Sequence, residues 1–235
     1  MNITNKNLCI IPARGGSKRI PRKNIKDFLG KPIIAYSIET AIESKLFDEV
    51  MVSTDDQEIA KISEKYGAKF PFFRSEENSN DFATTFKVIE EVIENYKSKG
   101  LSFDKICCIY PCAPFVSAEK LRNAYEILIE NNFDSVFPIM EFSFPIQRSL
   151  KLSQNKLGFF YPEFANTRSQ DLEKSYHDAG QFYFMDSQKV LEQKTILTNN
   201  SGAIVISALE GQDIDSETDW KLAELKYKLL QNDIS

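Results

Sequence analysis

The first two thirds of the chain alternate short apolar runs with amphipathic segments. The apolar runs lie at residues 8–13, 49–54, 68–73, 105–110 and 134–139, and their continuous hydrophobicity is typical of parallel strands buried on both faces. The segments at residues 32–45, 56–67, 84–99 and 117–132 repeat apolar residues at helical spacing instead. This alternation predicts an α/β fold, with a mostly parallel sheet and helices on both of its faces.

The pattern breaks between about residues 141 and 174. Strand-like pieces surround a glycine turn there, and no amphipathic helix can be traced. Because the stretch is rich in aromatic residues, we interpret it as an inserted β-rich arm that forms a subunit contact or a lid over a site. Strand patterns resume at 181–186 and 202–209, with a last helix from Glu217 to about residue 231. We expect a single domain over residues 1–235.

Composition narrows the class of protein. A net charge of −5 does not provide the basic field that binding to nucleic acid or to an anionic membrane requires. No apolar run reaches the ~18 residues of a membrane-spanning helix, and the N-terminus lacks a signal-peptide pattern, so a cytosolic (cytoplasmic) protein is expected. The cysteines, Cys9, Cys107, Cys108 and Cys112, lie mostly in predicted strands and form no CxxC pair. We therefore expect reduced thiols, with neither disulfides nor a zinc site.

One short loop departs from this acidic background. The sequence RGGSKRIPRKNI, from Arg14 to Ile25, follows the first predicted strand and contains the cations Arg14, Lys18, Arg19, Arg22 and Lys23. Gly15 and Gly16 permit φ > 0 and close backbone approach, so that successive N–H groups can form a nest for an anion. Loop and cations suit a polyphosphate, although neither a Walker A nor a GxGxxG pattern is present. The alternative is a solvated basic turn.

A second candidate site precedes the last predicted helix, in DIDSETD at residues 213–219. Ser216 and Asp219 have the spacing of a capping box, which explains acidic residues at a helix start without any ligand. Asp213 and Asp215, however, alternate on an extended segment and would project in the same direction, which is costly without a cation between them. Carboxylate oxygens suit Mg²⁺. A magnesium site and a plain helix cap remain equal alternatives on spacing alone.

Both candidates are expected at the same edge of the sheet, because ligands of open α/β sheets bind beyond the carboxyl ends of the strands. Residues 53–56, 79–85 and 110–114 also follow predicted strands. A cationic loop and a paired-aspartate site have the parts that nucleotidyl or phosphoryl transfer requires. Together they would neutralise a triphosphate, polarise its α-phosphorus and hold an attacking hydroxyl in line.

IPARGGSKRIPRKN, followed by FLGKPIIAYSIE, resembles the N-terminal signature of the CMP-sialic acid synthetase (acylneuraminate cytidylyltransferase) family. The resemblance continues through VSTD, SNDFATT, the YPCAP position and DIDSETDW, and it covers nearly the whole chain. It implies a Rossmann-like, GT-A-like nucleotidyltransferase fold and transfer of CMP from CTP to the C2 hydroxyl of a nonulosonic acid, with Mg²⁺ and release of pyrophosphate. The inserted arm matches the family's dimerisation segment, so a homodimer is also implied.

Carried over position by position, the resemblance implies a role for each site residue. Catalytic roles fall on Arg14, Lys23, Asp213 and Asp215; the two aspartates are the metal ligands, and either could help to take the proton of the sugar hydroxyl. The implied CTP contacts are Ala13, Arg14, Gly15, Lys18, Lys23, Asn24, Arg74, Ala83 and Thr85.

The sugar side departs from the pattern of the sialic acid enzymes. YPCAPFV stands where they usually have QPTSPLR, and HDAG stands where they have RPNG, so that Tyr110 replaces a glutamine and His177 an arginine. Arg168 is retained as a partner for the sugar carboxylate. The expected sugar contacts are Tyr110, Arg168, His177 and Gln181. Fewer polar contacts fit a less hydroxylated sugar, and TRSQDLEKSYHDAGQFYF most resembles the branch that activates pseudaminic acid for bacterial flagellar or surface glycosylation.

Other functions remain open from the residues. Legionaminic acid and sialic acid are alternative substrates within the same family. A non-catalytic nucleotide-binding module would have the same loop without turnover, although the intact Asp213 and Asp215 argue against it. A dinucleotide-dependent dehydrogenase would need GxGxxG, and the glycines of this chain do not match that pattern.

Overall fold

The computed structural model describes residues 6–232. The strands of this part of the chain are β1 (Asn7–Pro12), β2 (Asp27–Phe28), β3 (Lys31–Pro32), β4 (Glu49–Ser53), β5 (Lys105–Ile109), β6 (Ser135–Glu141), β7 (Leu150–Ser153), β8 (Lys156–Phe159), β9 (Tyr176–Asp178), β10 (Phe182–Asp186) and β11 (Ser201–Ile206). The helices are α1 (Ile33–Ser44), α2 (Gln57–Lys65), α3 (Thr85–Ser98), α4 (Ala118–Glu130), α5 (Ser187–Gln193) and α6 (Glu217–Asn232).

A seven-stranded sheet forms the centre of the fold, in the order β11-β6-β10-β5-β1-β4, with β9 beside β6. β1 is parallel to β4 and β5, and β11 is parallel to β6. The predicted α/β fold is confirmed, and the sheet is mixed because β9 and β10 run against their neighbours. The arm leaves β6 at its carboxyl end and returns there, so the next strand has to run in the opposite direction.

Helices cover both faces of the sheet. α1, α2 and α4 pack on one face, and α3 and α5 pack on the other. Cys107 and Cys108 point into opposite cores, as the alternation of side chains along a strand predicts. Burial raises the pKa of the Cys108 thiol to about 12, so that it packs as a neutral group. No helix within residues 6–232 has both the length and the apolar composition that crossing a bilayer requires.

The strand predicted at residues 68–73 is wrong. This segment runs beside β4 but makes only a single bridge, between Met51 and Lys69. Pro71 interrupts the segment and has no N–H to donate to a ladder. The next backbone bond to the end of β4 is made by Arg74, whose N–H donates to the Thr54 carbonyl at 2.9 Å.

The stretch predicted as an arm contains the β7–β8 hairpin and short 3₁₀ turns. Gln154 and Asn155 form the hairpin turn with φ of 49° and 62°, a pair of left-handed residues that suits a two-residue hairpin. The two ends of the arm lie side by side, since the Phe142 N–H donates to the Ser175 carbonyl at 3.0 Å.

A third, smaller hydrophobic core packs α6 against residues 20–36. Phe28, Tyr36 and Trp220 meet edge to face, with the centroids of the Phe28 and Trp220 rings 5.6 Å apart. Ile214 is buried in the same cluster, immediately before α6. The cluster therefore holds the segment that contains Asp213 and Asp215 against the loop that follows β1.

Candidate active site

A cleft of about 500 Å³ opens at the carboxyl ends of β1 and β5. Its walls are the loop after β1, residues 110–112 after β5, and residues 212–214 before α6. Its volume lies within the range of small-molecule sites. Two other grooves of about 600 Å³ and 750 Å³ lie elsewhere on the surface. The chemistry of the smaller cleft distinguishes it, because it brings together the cationic loop and Asp213.

Each cation of the loop has a carboxylate partner. The ion pairs are Arg14 and Lys18 with Asp81, Arg19 and Lys23 with Asp215, and Arg22 with Asp56. These carboxylates come from three separate segments of the chain. They hold the cations at the sheet edge, in a position to exchange carboxylate for phosphate oxygens.

Lys23 and Asn24 tie the loop to the rest of the cleft. The Lys23 ammonium donates to the Ile214 carbonyl at 2.7 Å and lies 3.5 Å from Asp215 Oδ1. The Asn24 amide donates to the Arg14 carbonyl at 2.9 Å, and its oxygen accepts from Cys112 Sγ at 3.3 Å. Two residues of a 3₁₀ turn thus connect the loop to the aspartate segment and to Cys112 in the loop after β5.

The glycines do not act as predicted. Neither Gly15 nor Gly16 has a positive φ, and the left-handed residue of the loop is Arg22, with φ of 55°. The Gly15 N–H donates to Asp55 Oδ1 at 2.9 Å, so it is not part of an open anion nest. Gly15 is required for another reason: a Cβ there would lie 2.8 Å from Asp56 Oδ2. Gly16 faces open space, with nothing within 4 Å of such a Cβ.

Asp56 connects the loop to α2. Its side chain accepts from the Glu58 and Ile59 N–H groups at 2.9 and 3.0 Å, which caps the helix, and it also pairs with Arg22. The hydrogen bond from Arg22 is the main reason that the pKa of Asp56 is lowered to about 2. The carboxylate is therefore charged at neutral pH and remains a fixed anchor for the loop.

The alternation predicted for the aspartate segment is present. Ile214 is only 2% exposed, whereas Asp213 lines the cleft and Asp215 is half-buried beside it. The capping box is also present, because Asp219 accepts from both the N–H and the hydroxyl of Ser216 at 2.7 Å. The Asp219 carboxylate also accepts from the Asp215 N–H at 3.2 Å, and the Asp215 carboxylate itself pairs with Arg19 and Lys23.

Two carboxylates are a partial donor set for a metal. Within residues 6–232, no cluster of three or more His, Cys, Asp or Glu side chains could hold an ion without other ligands. Mg²⁺ binds proteins through one or two carboxylates and takes its other ligands from phosphate and water. Asp213 and Asp215 therefore fit an ion that is shared with a bound triphosphate.

The residues expected around the cytidine do not line this cleft. Arg74, Ala83 and Thr85 lie between the end of α2 and the first residue of α3. Arg74 is buried, and its Nε donates to Ser53 Oγ at 3.0 Å; burial lowers the pKa of its guanidinium to about 10. The Ala13 N–H donates to the Ser53 carbonyl at 2.9 Å. The Ala83 N–H donates to Asn80 Oδ1 at 3.1 Å within the turn that leads to α3. Arg74 and Ala13 thus meet at the end of β4.

Tyr110 lines the cleft at the end of β5. Its hydroxyl is 2.9 Å from Thr85 Oγ1, and its ring lies against Tyr183, with centroids 5.6 Å apart. The Tyr183 hydroxyl donates to Asp178 Oδ2 at 2.6 Å. Burial raises the pKa of both tyrosines, so their hydroxyls stay protonated and can donate. Sequence reasoning missed Tyr183 and Asp178, because the pairing of β10 with β5 places Tyr183 near Tyr110 and the pairing of β9 with β6 places Asp178 near Tyr183.

The other predicted sugar contacts do not line the cleft within one chain. Arg168 lies in the arm, where its Nε donates to Asp171 at 2.7 Å. His177 packs on Phe142 at the base of the arm, with ring centroids 4.8 Å apart. Gln181 is buried; its amide nitrogen donates to a backbone carbonyl, while its oxygen has no partner. Their roles toward a sugar stay predictions.

Sequence reasoning also missed Asp81 and Cys112. Asp81 is the only acidic residue of SNDFATT, and its ion pairs with Arg14 and Lys18 depend on a long-range approach of that turn. Cys112 lines the cleft close to Lys23 and the two aspartates. Burial raises the pKa of its thiol to about 12, with a smaller contribution from the nearby carboxylates. The thiol is therefore neutral and is not a nucleophile at physiological pH.

A sheet edge that joins a cationic loop to two aspartates has the parts that a nucleotidyltransferase requires. A family model described as "Cytidylyltransferase" matches residues 8–222, and the chain belongs to this family.

Similar proteins cover nearly the whole chain. It is 47% identical over 225 residues to the pseudaminic acid cytidylyltransferase of Campylobacter jejuni, with 95% of this chain and 97% of that protein covered. It is 31% identical over 238 residues to the CMP-N,N'-diacetyllegionaminic acid synthase of Legionella pneumophila, with 95% and 97% covered. A solved structure of CMP:2-keto-3-deoxy-manno-octonic acid synthetase complexed with CTP has a similar fold, with a TM-score of 0.69, 16% identity and coverage of 97% and 100%.

The two glycines of the loop provide a matched test of its packing. We expect Gly15→Ala to lower the free energy of unfolding by about 1–3 kcal/mol, because the new Cβ would overlap Asp56. Gly16→Ala should change it by less than about 0.5 kcal/mol, because that position is open. Urea denaturation of both variants measures the difference. Equal stabilities would contradict the close approach of Gly15 to α2.

Proposed function

We propose that this protein transfers CMP from CTP to the C2 hydroxyl of pseudaminic acid, giving CMP-pseudaminic acid and pyrophosphate. The observation that carries the choice of sugar is the 47% identity, over 95% of the chain, to a relative of that name. The chemistry is supported by the cleft itself, where Arg14, Lys23, Asp213 and Asp215 lie at one edge of the sheet.

The cations of the loop would hold the triphosphate. Arg14, Lys18 and Lys23 would exchange their present carboxylate partners for phosphate oxygens. Lys23 is fixed by its bond to the Ile214 carbonyl, so its charge is already in place when negative charge develops on the departing pyrophosphate. Catalysis in this scheme comes from the positions and charges of these side chains, because phosphoryl-type transfer needs little covalent participation of the protein.

We propose that Asp213 and Asp215 hold Mg²⁺ together with the bound triphosphate. The ion would supply charge neutralisation at the α-phosphate and so make its phosphorus more electrophilic. Asp215 is paired with Arg19 and Lys23, whereas the Asp213 carboxylate has no cation partner within the described residues. We infer that Asp213 is the better placed of the two to accept the proton of the attacking sugar hydroxyl.

We propose a homodimer in which the arm is the contact. Leu150 pairs with Phe159 and Leu152 with Leu157 across the β7–β8 hairpin, so all four lie on one of its faces. They remain between 37% and 70% exposed within one chain. An isolated hairpin with an exposed apolar face is at best marginally stable in water. A second copy of the chain would cover this face and bring another arm, with its Arg168, toward each cleft.

The alternatives differ in substrate or in turnover. An enzyme for legionaminic acid or sialic acid would bind CTP in the same site. Only its sugar contacts, in the region of Tyr110 and His177, would differ. A non-catalytic nucleotide-binding module would bind CTP without releasing pyrophosphate. A cytoplasmic location and a role in flagellar or surface glycosylation stay predictions.

A panel of sugars tests the reaction. Purified protein is incubated with CTP, Mg²⁺ and either pseudaminic, legionaminic or sialic acid, and pyrophosphate release is measured. We expect release to be fastest with pseudaminic acid. Release with sialic acid alone would contradict the proposed substrate, and CTP binding without release for any sugar would favour the non-catalytic module.

Single substitutions test the aspartates. Asp213→Asn and Asp215→Asn should each lower kcat by about a hundredfold or more, because each removes a carboxylate from the charge-stabilising site. Asp219→Asn is the matched control: it removes a charge from the cap of α6 but keeps an oxygen that can accept from the Ser216 and Asp215 N–H groups, so it should affect stability while leaving turnover near that of the wild type. Pyrophosphate release at limiting Mg²⁺ is the measurement. If either of the first two variants keeps its rate, that residue is not a metal ligand.

Substitutions at two adjacent residues on opposite faces of β7 test whether the arm forms the dimer contact. Leu152→Lys places a charge on the apolar face, whereas Ser153→Lys places the same charge on the polar face. Sedimentation should give the mass of two chains for the wild type and for Ser153→Lys, and the mass of one chain for Leu152→Lys. A wild-type protein that sediments as one chain would contradict the proposal.

A further inference from the structure

Asp81 differs from the other carboxylates near the cleft because, within residues 6–232, pairing with cations of the loop is its only role. It pairs with Arg14 at 2.7 Å and with the ammonium of Lys18. Its carboxylate makes no other hydrogen bond or ion pair with the part of the chain that the structure describes. Asp56 also caps a helix, and Asp215 belongs to the proposed metal site, but Asp81 has neither role.

A short turn holds Asp81 at the mouth of the cleft. On one side, Asn80 Oδ1 accepts from the Phe82 and Ala83 N–H groups at 2.8 and 3.1 Å. On the other side, the hydroxyl of Thr84 caps α3 by accepting from the Lys87 N–H. The turn is exposed, and the side chain of Phe82 is 92% accessible. The turn thus keeps the backbone of Asp81 near the cations. The side chain of Asp81 can still rotate away from them into solvent.

Arg14 and Lys18 are two of the cations that the proposed reaction requires for the triphosphate. Asp81 already satisfies both of them, so phosphate oxygens have to displace its carboxylate before they can bind. When pyrophosphate departs, the same carboxylate is close enough to take the two cations back. The exchange costs little, because exposed ion pairs contribute only weakly to stability.

We propose that Asp81 is an internal counter-anion, which competes with the phosphates of CTP and of pyrophosphate for Arg14 and Lys18. This proposal rests on the proposed function. Its effect is selective: the affinity for ligands with β- and γ-phosphates is lowered, and the affinity for the CMP moiety is not. Asp81 thereby favours release of pyrophosphate, and it prevents self-repulsion of the loop when no nucleotide is bound.

Calorimetry with CTP, CMP and inorganic pyrophosphate tests this at constant ionic strength and saturating Mg²⁺. Asp81→Asn should bind CTP and pyrophosphate about threefold to tenfold more tightly than the wild type, as expected for loss of two exposed ion pairs. Its affinity for CMP should stay within about twofold. In turnover assays, pyrophosphate should become a correspondingly stronger product inhibitor.

Two further variants control for net charge and for geometry. Glu192→Gln removes one negative charge from an exposed ion pair on α5, at the opposite edge of the sheet, and should leave every affinity unchanged. Asp81→Glu keeps the charge on a longer side chain and should return the affinities toward those of the wild type. Asp81 is on the surface, so its variants should fold. Urea denaturation curves that match the curve of the wild type would confirm this.

The outcomes separate this inference from the proposed function. Unchanged or weaker binding of CTP and pyrophosphate by Asp81→Asn would overturn the inference, and so would an equal gain for CMP. If the wild-type protein binds pyrophosphate but turns over no sugar, the proposed function fails. In that case, the pyrophosphate affinities of the wild type and Asp81→Asn still decide the role of Asp81.

Discussion

Five cations on one loop repel one another, and the structure depends on how this repulsion is neutralised. Carboxylates from three distant segments surround the loop, with Asp56 before α2, Asp81 before α3 and Asp215 before α6. Each pair joins the first βα connection to a later part of the chain. The ion pairs that neutralise the loop are thus also long-range contacts, which connect the loop to three later segments at the carboxyl edge of the sheet.

The aromatic core of α6 supplies stability that does not depend on salt, which these ion pairs lack. Exposed ion pairs contribute little to stability and are screened by salt. Phe28, Tyr36 and Trp220 form buried edge-to-face contacts that do not depend on salt, and they hold Ile214 in place between the two aspartates. The Ile214 carbonyl, which accepts from the Lys23 ammonium at 2.7 Å, is therefore held by apolar packing that salt does not screen.

Local patterns predicted most of the elements, because helical spacing and apolar runs are properties of neighbouring residues. The capping box at Ser216 and the opposite directions of Cys107 and Cys108 followed in the same way. Contacts between distant segments were not predictable: Asp81 reaches the cleft, and Tyr183 reaches Tyr110, only through tertiary contacts. The backbone role of Gly15 was misjudged for the same reason, because its requirement comes from Asp56 and not from its own φ.

The arm begins and ends at neighbouring positions, Phe142 and Ser175, which share a backbone hydrogen bond. A segment whose ends already touch can change in length or sequence without moving the strands on either side of it, since closing a longer loop adds little entropy cost. The arm can therefore diverge independently of the cationic loop and the aspartate segment. Evolution could change the β7–β8 hairpin within this one segment while the cleft at the carboxyl ends of β1 and β5 stays unchanged.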